Sequence, residues 1–147
     1  MKSPEALNDL IEINNDRVTG YEKAAAQAED IDLRSIFNSY AADSKRFASE
    51  LKELVTQEGE DPAEGTTFRG KIYRTWMDVK ATFGGDDRKG LLSSCEFGED
   101  AAQRAYKTAL EDKDLPTEAR SIVERQKEIL RGAHDRIKAM RDSEPTK

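Results

Sequence analysis

Residues 7–28 read LNDLIEINNDRVTGYEKAAAQA. Within them Leu7, Ile11, Asn14, Val18, Tyr21, Ala25 and Ala28 recur at alternating steps of four and three. At about 100° per residue, that rhythm places all seven on one face of an α-helix. Asparagine stands in the middle of an otherwise apolar stripe.

The pattern repeats three times. Leu33, Phe37, Tyr40, Ser44, Phe47, Leu51 and Leu54 form a second stripe, broken by Ser44. Leu92, Cys95, Glu99, Ala102, Tyr106 and Ala109 form a third, broken by Glu99. Ala119, Val123, Gln126, Leu130, Ala133, Ile137 and Met140 form a fourth, broken by Gln126. Four long amphipathic helices bury their stripes most simply against one another, so an all-α four-helix bundle is expected.

Breakers set the boundaries. Ser3 and Pro4 suit the start of a helix, with Glu5 placed favourably for the helix dipole. Asp30-Ile31-Asp32 is a short turn in which Asp32 can cap the next helix. Gly59 is a natural stop. Gly84-Gly85 and Pro116 punctuate the second half. Helices are expected near 4–29, 32–58, 87–111 and 117–142. Residues 59–67 form a loop, and the tail 143–147 is expected to be flexible.

Between the second and third long helices lies a fifth stripe: Phe68, Ile72, Trp76, Val79 and Phe83. A tight antiparallel link would not need so many residues. The expectation is a partly helical crossover, about 68–83, that climbs the bundle and leaves the second and third helices parallel. An up-down-up-down bundle with a decorated loop is the competing topology. Tyr73, Trp76 and Phe83 on this segment would suit a homodimer patch. The preferred reading packs this segment down onto the bundle through Phe68, Ile72, Trp76 and Phe83.

The chain has 147 residues, the size of one domain, and a net charge of −6. That charge gives no general attraction to nucleic acid or anionic membranes. No apolar run approaches a membrane span, and the N-terminus carries no apolar leader. A single cysteine makes no internal disulfide. The cytoplasm is the compartment these features lead one to expect.

The segments LNDLIEINNDRVTGYEKAA, RTWMDVKA and FGEDAAQRAYKTALE resemble a bacterial family of ferritin-like four-helix-bundle proteins of unknown function. The likeness runs from Leu7 to about Leu115. It implies a ferritin-like bundle and supplies no activity or ligand set.

The polar interruptions are the candidate site. Under the crossover topology Asn14, Ser44, Glu99 and Gln126 fall near mid-height, a buried polar layer. A buried carboxylate must be paired, protonated or metal-bound. In the structural reading Glu99 is satisfied by Gln126, Asn14 or a tyrosine hydroxyl, and glutamine should replace it without loss. In the metal reading Glu22, Glu99 and His134 hold iron or manganese. Di-metal bundle sites need Glu-x-x-His on two helices. The second helix offers Asp43, Glu50 and Glu53, and the fourth offers Glu124 and Glu128, with no histidine three residues on. No nucleophile–histidine pair, phosphate-binding glycine loop or HExxH occurs. The sequence therefore leads to a non-enzymatic bundle acting by self- or partner-association, in stress responses by analogy, with a reduced metal site or oxidase as the alternative.

Overall fold

A computed structural model describes residues 3–65, 76 and 88–144. Among the described residues four long helices make up an all-α bundle: α1 Ser3–Gln27, α2 Ile31–Gln57, α3 Arg88–Leu110 and α4 Thr117–Asp142. No strand occurs among the described residues.

The ends follow local chemistry. Asp30 occupies the position before α2 in an extended conformation, φ −83°, ψ 130°. Asp32 lies inside the first turn rather than at the cap, and both carboxylates turn to Arg88. At the other end Gly59 adopts φ 79°. Its N–H donates to the Thr56 carbonyl at 2.9 Å, and the Glu60 N–H donates to Val55 at 3.2 Å. This paired closure needs a left-handed residue, which glycine supplies at no steric cost.

Contacts between helices give the topology. Asn14 meets Tyr106, and Tyr21 meets Glu99, so α1 and α3 run antiparallel. Ser44 bonds Asn14 and Phe37 packs on Tyr21, so α1 and α2 are antiparallel as well. Gln103 and Glu96 meet Lys127 and Arg141, making α3 and α4 antiparallel. Hence α2 runs parallel to α3, and α1 parallel to α4.

The link from α2 to α3 must therefore travel the length of the bundle. Its described points climb along α1. The Ala63 N–H donates to Asn8 at 2.7 Å, Asn15 donates to the Gly65 carbonyl at 2.7 Å, and Trp76 lies against Gly20. Arg88 then joins Asp30, Asp32 and Glu144 at the far end. The expected helix over 68–83 lies outside the described residues, Trp76 excepted.

The stripes pack as two apolar sectors. One gathers Leu7, Leu10, Ile11, Phe47, Leu51, Tyr106 and Val123. The other gathers Tyr21, Leu33, Phe37, Trp76, Leu92, Cys95 and Ile137. Helix α1 also buries Ile13, Gly20 and Ala24, and α3 buries Leu91, Ser94 and Gly98, outside their predicted stripes. These two helices are covered on more than one side, whereas α4 buries a single stripe.

Trp76 explains the extra burial at Gly20 and Gly98. A Cβ at Gly20 would sit 2.6 Å from the indole, and one at Gly98 2.3 Å from it. Only glycine on both helices lets the ring lie between them. The indole is fully buried and meets the edge of Tyr21 at 5.2 Å between centroids. The side chain is in the core, as the reading that packs Trp76 down onto the bundle expects, and Trp76 is not part of an exposed dimer patch. Tyr73 and Phe83 lie outside the described residues.

Candidate functional site

Between the two apolar sectors sits a layer of polar side chains. Asn14, Ser44, Glu99 and Gln126 are each 0% exposed, and Arg17 is 1% exposed. Each projects from the middle of its helix, at or beside the apolar stripe, so burying the stripes carries these groups inward.

The charged centre is Arg17 with Glu99. Arg17 Nη2 lies 2.6 Å from Glu99 Oε2, and the Tyr21 hydroxyl donates to the same oxygen. The guanidinium carbon also lies 5.0 Å from the Tyr21 ring centroid. Burial alone would push the Arg17 guanidinium down. The facing Glu99 carboxylate and Tyr21 outweigh burial and hold it above its ordinary value. Burial and the Glu99 charge push the Tyr21 phenol well above its usual range, so it stays a neutral donor. Burial and Glu99 likewise raise the Cys95 thiol, which leaves it a packed, protonated side chain.

From Arg17 the hydrogen bonds run in one direction across the bundle. Arg17 Nη1 donates to Ser44 Oγ, whose hydroxyl donates to Asn14 Oδ1 at 2.9 Å. Asn14 Nδ2 donates to Tyr106 Oη at 2.8 Å and to the Leu10 carbonyl at 2.8 Å. The Tyr106 hydroxyl donates to Gln126 Oε1 at 2.6 Å. Gln126 Nε2 donates to Glu50 Oε1 at 3.1 Å, and Arg125 reaches the other Glu50 oxygen at 2.5 Å. All four helices contribute. The chain starts at a buried cation and ends at a part-exposed carboxylate, so every donor points down the electrostatic gradient.

This arrangement holds four helices in one register. The part of the layer nearest a metal-ligand chemistry is Glu99, whose Oε2 is already engaged by a cation and a phenol. Glu99 Oε1 accepts no hydrogen bond among the described residues.

The suggested ligands do not come together. Glu22 is 52% exposed and pairs with Lys45 on α2 at 3.1 Å. His134 lies in the groove between α3 and α4, with Nε2 2.6 Å from Asp100 and Nδ1 3.1 Å from Asp135. The reason is angular: both sit at the margins of their stripes, and each margin turns to the nearest opposite charge rather than to the centre. Among the described residues no group of three histidine, cysteine or carboxylate side chains is placed to hold a metal ion.

Arg17 is the member that the reading of the sequence missed. Its signal was present: it stands three residues after Asn14 and four before Tyr21, at the edge of the same stripe. A buried Glu99 also demands a counter-charge. The tyrosine hydroxyl expected as a partner for Glu99 is that of Tyr21, while Tyr106 joins Asn14 to Gln126.

No described helix is long and apolar enough to cross a membrane. A comparison with curated proteins finds no match to the chain. The sequence profile of a family described as a domain of unknown function, DUF2383, matches residues 3–112, which hold every network member except Arg125 and Gln126, and the chain belongs to that family.

Proposed function

We propose that this chain is a ferritin-like bundle whose core is a structural ion-pair layer, and that it acts through its surface, by association with a second copy or a protein partner. The observation that carries this reading is the pairing of Glu99. Glu99, a carboxylate buried at mid-stripe, already has Arg17 and Tyr21 on Oε2. A cation such as iron or manganese would have to displace a guanidinium 2.6 Å away, against like-charge repulsion. The parallel α2 and α3 joined by a long crossover support the ferritin-like reading of the connectivity. A role in stress responses is an analogy with other ferritin-like proteins.

The alternative, a reduced iron or manganese site or oxidase, draws on Glu99 Oε1, which takes no hydrogen bond among the described residues. One experiment separates the readings. Purified protein is melted with and without Fe²⁺ or Mn²⁺ in anaerobic buffer, and its mass in solution is measured across a concentration series. The association reading expects no metal-dependent rise in melting temperature, and a mass that grows with concentration or with added partner. A saturable metal-dependent rise, lost in Glu99→Gln, overturns it.

A further inference from the structure

The seam between α2 and α4 is the least closely packed between neighbouring helices of the bundle. Polar groups cross it: Gln126 and Arg125 reach Glu50, and Arg136 faces the Tyr40 hydroxyl. On the α4 side Ile122, Arg125, Ile129, Arg136 and Met140 fall within about 60° of one another, at about 100° per residue. Ile129 is 42% exposed, and Ile122 and Met140 are half-buried. On the α2 side Ile36, Tyr40, Asp43 and Glu50 share a flank about 80° wide. All four are half-buried. The core therefore uses these side chains only in part, and a strip of isoleucine, tyrosine and methionine is left beside the seam.

Charge divides this face in two. The α2 side carries Asp43 and Glu50, and the α4 side carries Arg125 and Arg136, with Glu118 against the pattern at the start of α4. A face that is apolar beside the seam, acidic on one side and basic on the other is complementary to itself. A two-fold axis along the seam lays the α2 side of one copy on the α4 side of the other at the same height. Within the chain Tyr40 stands level with Arg136, and Glu50 with Arg125. Asp43 of one copy then comes within a turn of Arg136 of the other. The size also fits. Helices of 27 and 26 residues are about 40 Å long at the α-helical rise. Two side by side, each about 10 Å across, present roughly 800 Å², the area each partner buries in a stable interface.

We propose, resting on the association reading given above, that the α2–α4 face is where a second copy of this chain docks, with Ile129 at its centre and Asp43 of each copy facing Arg136 of the other. The buried hydrogen-bond network reaches the surface at this same face, through Gln126 and Glu50. A second copy seated here covers that outlet and the exposed Ile129 together.

The test is the mass of the full chain in solution across a concentration series, for the parent, Ile129→Lys, Arg136→Glu, and Arg136→Glu combined with Asp43→Arg. Ile31→Lys is the control, since Ile31 is 81% exposed but lies on the opposite flank of α2. The parent should reach the mass of a dimer. Ile129→Lys should raise the concentration at half-dimer by about tenfold or more, with its helical circular dichroism intact. Arg136→Glu should weaken the dimer, and adding Asp43→Arg should restore it, because the swapped charges face each other again. Ile31→Lys should leave the dimer unchanged. A dimer indifferent to Ile129→Lys would overturn this face while leaving association itself standing. A charge swap that weakens the dimer further would overturn the facing of α2 on α4. A parent that stays monomeric throughout would overturn the second copy as occupant, and the association reading would then rest on a different protein. Recovery of a lipid from that monomer by solvent extraction would overturn it in the same way. Should Ile129→Lys lose its helical signal, Ile129→Ser takes its place and is read by the same outcomes.

Discussion

Replacing Glu99 with glutamine tests the buried pair at the scale of one residue. The amide keeps the shape but leaves Arg17 as an uncompensated cation in the core, at a cost of about 3–5 kcal/mol. For a chain of this size that is a fall of melting temperature on the order of 10 °C. The sequence alone suggested that glutamine would be tolerated; the position of Arg17 reverses the expectation. Arg17→Met combined with Glu99→Met should recover most of the loss, because the pair then leaves no charge behind. A double variant no better than Glu99→Gln would show that the hydrogen bonds to Tyr21 and Ser44, and not the charges, hold this level together. The helix glycines give a second test at this scale. Alanine normally stabilises a helix interior by roughly 0.5–1 kcal/mol over glycine. At Gly132, where an added Cβ meets nothing within 4 Å, the melting temperature should rise. At Gly98, where it would meet the rigid Trp76 ring at 2.3 Å, the same change should destabilise by about 1–3 kcal/mol. Equal effects at the two sites would remove Trp76 from the notch.

At the scale of elements, α3 and α4 are joined along their exposed seam by charge. His134 lies between Asp100 of α3 and Asp135 of its own helix, and both hydrogen bonds are satisfied at once only by the protonated ring. Burial pushes the imidazole down, but Asp135 and Asp100 together outweigh it, and the net shift is upward from 6.5. A group whose value rises on folding stabilises the fold below its unfolded value, and the contribution disappears as pH climbs through the folded one. The parent should therefore melt above His134→Gln by the widest margin below about pH 6.5, the reference value for histidine. The margin should shrink toward pH 9. A margin that widens with pH would contradict the imidazolium bridge. At the bundle end, Arg88 ties the first turn of α2 and the C-terminus of α4 to the start of α3. Its partners are part-exposed, so salt screens these pairs and they orient the end more than they stabilise it.

At the scale of the whole molecule, the network links all four helices and Trp76 links α1 to α3, so the parts should melt together. Trp76 is the single tryptophan of the chain, and its indole is fully buried. Its emission should be blue-shifted in the native state. In a denaturant titration its red shift should coincide with the loss of helical circular dichroism, as a two-state domain requires. Loss of the tryptophan signal at lower denaturant than the helices would mean that the notch empties while the bundle stands. Cys95 offers a parallel reading, since its fully buried thiol should resist modification until the same transition.

Much of this molecule was legible in the order of its residues. Periodicity gives the angle of each residue about its own helix axis, because an α-helix advances by a fixed step. That was enough for four helices and for the polar residues of the stripes, Asn14, Ser44, Glu99 and Gln126, which lie in the core. The length of the link between α2 and α3 was enough for a crossover. Periodicity says nothing about which neighbour stands opposite at a given level. That depends on axial offsets and helix contacts, which only packing settles. So Arg17, on the edge of its stripe, turned inward to Glu99, while Glu22 and His134, also on the margins, turned outward to Lys45 and Asp100. Gly20 and Gly98 carried no periodic signal, because a glycine marks close approach without naming what approaches. The tertiary structure named it as Trp76, a residue from a distant stretch of chain whose burial depends on two helices meeting side by side.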